Sequence, residues 1–378
     1  MRFLYNEDEI SKHLRYNRIS LIFNANSMKL RYFIGALIAA VVLTTFLGCG
    51  FPGFKQDGGT TVPKAEEKIV FVGAENTEYN LYLVKEDGSG IKKLTTLNRV
   101  EGLIKPLWSP DGSKVLFQYR KENNAGSAIY VINSTGGDPT EVTKEITTGG
   151  ERGKWLDDNR VLFVTTDKGK NYIYSVDSSG VNSIKVASDT TKEFIFLGSK
   201  NEVIYQDQKA LTLKKVSLET KADEKVLDWN KPVMGMTLAP NGTQMAFVSE
   251  GPKNGFYLYL FDFEKNALTK LIPLTNFNVV KQEFEIAFTP DSTRMVFPYG
   301  ISKKERSLVV MGVADKRITP LTTAKTSDHF VTICRSQDKA LFSREAKGLR
   351  SLMLFDLNAQ EEKELIGSQY SPLSSDWQ

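Results

Sequence analysis

The sequence predicts an all-β fold, a seven-bladed β-propeller of four-stranded antiparallel blades, on three observations. An alternating apolar strand recurs seven times, a Pro-Asp-Gly-type corner leads into several of the copies, and long helical periodicity is absent. With 378 residues and 41% hydrophobic content, the chain can bury a large core. The formal charge of +4 belongs mostly to the leader: residues 1–49 hold six Lys/Arg and three Asp/Glu, which leaves 43 against 42 for the rest. That balance argues for no nucleic-acid partner.

The N-terminal region divides into pieces of different chemistry. Met28 opens MKLRYFIGALIAAVVLTTFLGC, in which Lys29 and Arg31 precede an uncharged apolar run from Tyr32 to Leu47, followed by Gly48 and Cys49. Charged start, apolar middle and small-residue end are the three regions of a secretory signal, and this one resembles a bacterial lipoprotein signal over residues 28–48. The resemblance implies that Cys49 is diacylated on sulfur and becomes the mature N-terminus. The alternative is an uncleaved membrane anchor, since the run is only slightly short of the ~20 residues that span a bilayer. Residues 1–27 place Glu7, Asp8 and Glu9 ahead of an already complete signal, and read as an upstream extension from a misplaced start. Residues 49–66 are rich in Gly, Pro and Thr, as a flexible tether is. The propeller is expected over 67–378, its first strand beginning at Lys68.

The marker strands are KIVFVG at Lys68, KVLFQY at Lys114, RVLFVT at Arg160, VIYQD at Val203, QMAFVS at Gln244, RMVFPY at Arg294 and KALFSR at Lys339. Their starts lie about 41 to 50 residues apart, the period of four-stranded propeller blades. A third strand follows each, as in NLYLVKEDGSG and AIYVINSTGG, and then a short fourth such as IKKLT or ITPLT. First strands such as IKPLW, EFIFLG and FVTIC precede six of the markers. The unit at Lys68 lacks one, while YSPLSSDW, Tyr370 to Trp377, is a first strand with no unit after it. Pairing of this C-terminal strand with the first blade closes the ring and removes its open edges.

The corners read as geometry. Pro110, Pro240 and Pro290 preset φ; Asp111, Asn241 and Asp291 can bond their own backbone two residues on; Gly112 and Gly242 accept positive φ. A residue repeated at every corner is a turn former rather than a catalyst. The W-S-P-D-G corner, the I-Y-V-x-N strand, the D-G-S-G turn and the K-x-L-T strand together resemble the TolB-like β-propeller repeat, from Lys68 to Trp377. The resemblance implies a periplasmic or cell-surface propeller that works by binding.

Catalytic groups are sparse. The two histidines are His13 and His329, no G-x-S-x-G elbow is present, and no His or Cys pair stands at metal-ligand spacing. No metal or cofactor is expected. His329, beside Asp328, reads as a loop residue, and Cys334 as a buried, inert thiol.

Antiparallel strand order puts the corners on one face and the longer, chemically varied connections on the other, where recognition normally sits. That second face carries Arg120, Lys121, Lys168 and Lys170, then Lys253, Lys303, Lys304 and Arg306, with Trp229 and His329 on connections between units. Solvated loop lysines are the plainer account of this mild basic excess; an anionic glycan, a peptidoglycan fragment or an acidic protein partner suits it as the alternative. Two functions remain open: a non-catalytic, lipid-anchored binding scaffold in the cell envelope, periplasmic or surface-exposed, or a propeller lyase or hydrolase acting on polysaccharide.

Processing gives the first test. Mass spectrometry of the native mature protein is expected to find a lipid-modified Cys49 as its first residue; a chain beginning at Met1 with unmodified Cys49 contradicts the signal.

Overall fold

The computed structural model describes residues 68–75, 78–97, 103–120, 127–143, 151–274, 285–300, 306–323 and 326–378. The leader, the tether with Cys49, and Lys121, Lys303 and Lys304 lie outside these residues, as does the Arg120 side chain.

Every marker became a strand. The first sheet holds β1 (Lys68–Glu75), β2 (Glu78–Lys85) and β3 (Lys92–Lys93). The second is β4 (Leu103–Trp108), β5 (Lys114–Arg120), β6 (Ser127–Asn133) and β7 (Thr140–Glu141). A seven-stranded sheet follows: β8 (Glu151–Trp155), β9 (Arg160–Asp167), β10 (Lys170–Asp177), β11 (Ile184–Leu197), β12 (Glu202–Asp207), β13 (Leu213–Ser217) and β14 (Asp223–Leu227). The next has β15 (Val233–Leu238), β16 (Gln244–Glu250), β17 (Phe256–Asp262) and β18 (Ala267–Leu274). The last begins with β19 (Ala287–Phe288), β20 (Arg294–Gly300), β21 (Arg306–Gly312) and β22 (Ile318–Pro320). It continues with β23 (Ser327–Ile333), β24 (Lys339–Ala346), β25 (Leu349–Asp356) and β26 (Glu361–Ile366), while β27 (Ser375–Trp377) returns to the first sheet. The fold is thus an all-β propeller of antiparallel sheets.

Period-2 alternation sends successive side chains to opposite faces, and in each marker strand both faces are buried. Ile69 and Phe71 pack with Leu341 and Leu352 of the last sheet, whereas Val70 and Val72 pack with Trp108, Val115 and Phe117 of the second. Likewise Leu162 and Val164 enter one core and Val161 and Phe163 another. This is why the markers read as nearly continuous apolar runs: each is the shared wall of two cores.

The fourth strands are as short as two residues, and a threonine completes them. Thr95 Oγ1 accepts the Leu81 N–H at 2.9 Å, Thr143 Oγ1 that of Ile129 at 3.2 Å, and Thr322 Oγ1 that of Leu308 at 2.9 Å. The threonine of K-x-L-T therefore does the work of a ladder bond that the strand is too short to make.

The expected ring closure is present. β27 pairs antiparallel with β1, placing Trp377 opposite Ile69 and Ser375 opposite Phe71. Two backbone bonds of 2.9 Å, Leu373 N–H to Val72 O and Val72 N–H to Ser374 O, extend the contact. The closing strand is shorter than Tyr370–Trp377, however. Ser368–Tyr370 forms a 3₁₀ turn that ends on Ser371 at φ +40°, and the Tyr370 ring packs edge-on to Phe71 and Tyr82 at 6.1 and 5.3 Å. Aromatic packing wins over extension there.

The sheets are also not all four-stranded. The fourteen-residue β11 passes without a turn from pairing with β10 to pairing with β12, so it closes one unit and opens the next. In the last sheet a single parallel bridge, Arg306 to Ser327, joins β21 to β23.

Trp377 is fully buried. Trp377→Ala is expected to cost about 3–5 kcal/mol in denaturant unfolding, and Trp377→Phe distinctly less; a loss within 0.5 kcal/mol of zero, the range of about ±0.5 seen at surface positions, shows that closure does not hold the ring.

Candidate functional site

The corners fold as their residue types require. Gly112 N–H bonds to Ser109 O at 3.0 Å, with Gly242 to Ala239 and Ser292 to Thr289 both at 2.8 Å, and the three closing residues sit at φ +68°, +72° and +63°. Asp111 Oδ1 accepts the Ser113 N–H at 3.0 Å and the Ser109 hydroxyl at 2.6 Å; Asp291 does the same with Thr293 at 3.0 Å and Thr289 at 2.6 Å. Asn241 Oδ1 accepts the Thr243 N–H at 3.0 Å. At Gly112 the φ of +68° favours glycine, which has no Cβ to strain there.

Corners also join neighbouring units. Asp111 N–H donates to Asp158 Oδ1 at 2.9 Å, Lys114 Nζ bonds Asp158 O and Asn159 Oδ1 at 3.0 Å, and Arg294 bonds Asp338 at 2.7 Å. Lys339, which opens another marker strand, meets Glu86 in the turn after β2. Cations that open marker strands thus reach turns of the adjoining unit at Lys114, Arg294 and Lys339, whereas Arg160 pairs with Asp157 of its own corner.

On the opposite face the basic residues have different fates. Lys168 and Lys253 stand exposed at left-handed turn positions, φ +48° and +56°. Lys170 pairs with Asp189 at 3.4 Å. Trp229 is partly buried: its ring meets Tyr259 and Phe247 edge-on at 5.0 and 6.0 Å, and its Nε1 donates to Ser249 Oγ at 3.0 Å. His329 lies on β23 rather than in a loop, because β23 pairs with β24 from Ser327 onward. Its Nε2 is 2.9 Å from Ser327 Oγ and its Nδ1 is 3.4 Å from Arg306 Nη1; burial first, and then the Arg306 charge, lower its pKa.

The concave site is elsewhere, at the centre. First strands of successive units converge on a cavity of about 820 Å³, within the range typical of ligand pockets. Its apolar lining includes Leu107, Trp155, Phe194, Met236, Ile286 and Val331; its charged lining is Lys105, Lys154, Lys192, Glu193, Glu285, Arg335 and Asp376. Lys105 Nζ meets Glu285 Oε1 at 2.7 Å. Arg335 donates to Trp108 O at 2.9 Å and Ser109 O at 3.3 Å, and its Nη2 lies 3.7 Å from Asp376. Asp376 Oδ2 accepts the Trp108 N–H at 2.7 Å; burial raises the Asp376 carboxyl pKa, opposed by Arg335 and that N–H. Lys154 Nζ donates to Phe194 O at 2.8 Å, and Trp155 Nε1 to Leu107 O at 3.0 Å.

None of these cavity residues stood out as a site in the sequence. They are scattered over some 270 positions, and only the ring brings them together. A usable signal was there: IKPLW, KEFIF, FEIAF and SSDW each carry a charge inside an innermost strand. Among the described residues no group of three or more His, Cys, Asp or Glu is arranged to hold a metal ion.

The model of the family "TolB beta propeller domain" matches residues 60–272. No curated protein matches the chain. Among solved structures, TolB from Acinetobacter baumannii is 16% identical with a TM-score of 0.50, over 67% of this chain and 62% of its own. The chain therefore spans less than two thirds of that protein. Oligogalacturonate lyase from Vibrio parahaemolyticus is 14% identical with a TM-score of 0.59, over 75% of this chain and 85% of that one. The β-propeller domain of the Trilobed protease from Pyrococcus furiosus is 15% identical with a TM-score of 0.55, over 81% and 96%. At these identities the likeness is one of fold.

Hydrogen bonds from Ser109 and Ser113 hold the Asp111 pKa at about 2, and those from Thr289 and Thr293 do the same for Asp291, against an ordinary 3.8. Their lowered values add stability that is complete above the ordinary value and lost as pH falls through about 2. Asp111→Ala is expected to cost about 1 kcal/mol near neutral pH. Asp111→Asn, which keeps an acceptor for the Ser113 N–H, is expected to cost less and to flatten the acid limb. Melting temperatures of the three proteins across that limb decide it.

Proposed function

The chain belongs to the TolB beta propeller domain family, and on that footing we propose that it is a non-catalytic binding propeller, anchored in the cell envelope through lipid on Cys49. The mature protein is periplasmic or surface-exposed, with residues 49–66 as tether and 67–378 as the binding domain. We count seven blades in that domain: the four-strand reading holds throughout once β11 is taken as the last strand of one blade and the first of the next.

The observation that carries this reading is the division of labour between the two faces. Corner cations and acids are consumed in fastening adjacent units, whereas the opposite face presents Lys168 and Lys253 exposed on turns between rigid strands. A fixed scaffold bearing varied, outward-pointing cations suits recognition of an acidic envelope protein or an anionic glycan.

One feature favours the second reading, a propeller enzyme acting on envelope or extracellular polysaccharide: Glu193, Glu285, Asp376 and Arg335 line a single cavity, and acid–base chemistry on a sugar needs such convergence.

Cross-linked capture from envelope extract separates the two. The wild-type protein is expected to retain a specific envelope component, and a Lys168→Glu, Lys253→Glu double variant to lose most of it at unchanged melting temperature. Equal capture by both, together with release of new chain ends from envelope polysaccharide, supports the enzyme instead.

A further inference from the structure

On the face opposite the corners, one arginine lacks a counter-ion. Arg160, Arg294, Arg344 and Arg350 each bond a carboxylate at 3.2 Å or less. Arg306, which opens β21, is partly buried and bonds none among the described residues. Its guanidinium touches only a neutral ring, with Nη1 at 3.4 Å from His329 Nδ1. The other guanidinium nitrogens have no acceptor among the described residues, yet they are not sealed from solvent. Carboxylates nearby are already committed, Asp328 to Arg344 at 2.9 Å and Glu345 to Arg350 at 3.2 Å. Burial therefore lowers the Arg306 pKa with no carboxylate to oppose it.

Backbone strain is held at the same spot. β23 bulges between His329 and Thr332, and Phe330 there takes φ +53°. β15 bulges in the same way between Met234 and Thr237, but with Gly235 at φ +60°. A bulky residue at positive φ is an outlier whose cost a glycine avoids. What the chain retains by it is a partly exposed phenyl ring beside the His329 imidazole, the two centroids 6.2 Å apart.

A guanidinium presents a planar fork of N–H donors that matches a carboxylate in shape and in charge. Desolvated without a partner, it bears a cost that a bound carboxylate offsets. The Phe330 ring offers apolar surface for the rest of such a ligand. We propose that Arg306, His329 and Phe330 form a binding site for a small organic acid, its carboxylate on Arg306 and its hydrophobic body against Phe330. The site shares a face with Lys168 and Lys253 but uses neither, so it stands whether or not those lysines recognise an envelope partner.

His329 makes the site sensitive to pH. Arg306 on β21, Asp328 on its own strand, Glu345 on β24 and Arg350 on β25 all act on its ring; burial first, and then Arg306, lower its pKa. A carboxylate on Arg306 offsets that positive charge and raises the His329 pKa. By reciprocity, protonation of His329 tightens binding, so affinity rises as pH falls through that pKa.

The chain has two histidines, His13 and His329, which makes the imidazole a clean reporter. Nuclear magnetic resonance of the full chain in detergent, with labelled histidine and the His13→Gln variant for assignment, tests the site. The probes are 3-phenylpropionate and N-acetylglycylphenylalanine, a free acid and a peptide chain end with the same chemistry, each beside its carboxamide. An acid is expected to shift the His329 signal to saturation with a Kd below about 10 mM and its amide to bind at least about tenfold more weakly; the tighter acid identifies the source. Followed on the ligand signals, Arg306→Gln is expected to weaken binding at least about tenfold at an unchanged or higher melting temperature, since it removes a charge that has no partner. Wild-type affinity is expected to rise from about pH 8 to about pH 5.5, and that of His329→Gln to stay level. Absence of saturation with both acids, equal binding of acids and amides, full affinity in Arg306→Gln, or a level wild-type pH profile overturns the proposal. The amides keep the test decisive even if a variant fails to fold, because they need only the wild-type residues of the site.

Discussion

The constraint on which the fold depends is that every marker strand must be buried on both faces. A strand such as β1 divides its side chains between two cores, Ile69 and Phe71 on one side and Val70 and Val72 on the other. No sheet can satisfy both faces alone, so each needs a neighbour on either side. A linear stack of such sheets leaves two apolar end faces in water. A closed ring leaves none, which is why a pairing as short as β27 with β1 matters out of proportion to its three registered positions.

Given closure, the other regularities follow from strand length and polarity. Some outer strands contribute little apolar wall and shrink to two or three residues, as β3, β7 and β22 do, and the threonines at Thr95, Thr143 and Thr322 then take over the bonds those strands cannot make. At the corners closed by Gly112, Gly242 and Ser292 the closing residue takes a positive φ, while an acid or amide side chain supplies the acceptor for the backbone N–H that the turn would otherwise leave idle. Ser292 shows that geometry dominates over residue type: it adopts φ +63° where two equivalent corners use Gly112 and Gly242.

The cavity is a by-product of the same ring. Inner strands cannot meet at the axis, because sheets packed face to face stand about 10 Å apart and a ring of them needs a matching circumference, so inward residues line open space. Polar and charged groups are tolerated there, as they are away from the cavity at Asp328 of β23, which is held by Arg344 and Thr322. Lys105, Glu285, Arg335 and Asp376 each find a partner, frequently a backbone carbonyl or N–H of another unit, so the same side chains that brace the ring also set the chemistry of its interior.

Local chemistry and the repeat period were enough to read the markers, the third strands, the corners and the closing segment, since each depends on residues within about ten positions of one another. The roles of Asp111, Asp291 and Gly112 were legible for the same reason. Two things were not. Tyr370 looked like strand until its ring was set against Phe71 and Tyr82, and β11 looked like two strands until no turn separated them. The cavity is the deepest case. The sequence by itself determined what each unit is, because strand and turn preferences are short-range; only the tertiary structure decided which charges share a space, because Lys105 and Glu285 are neighbours solely through the curvature of the ring.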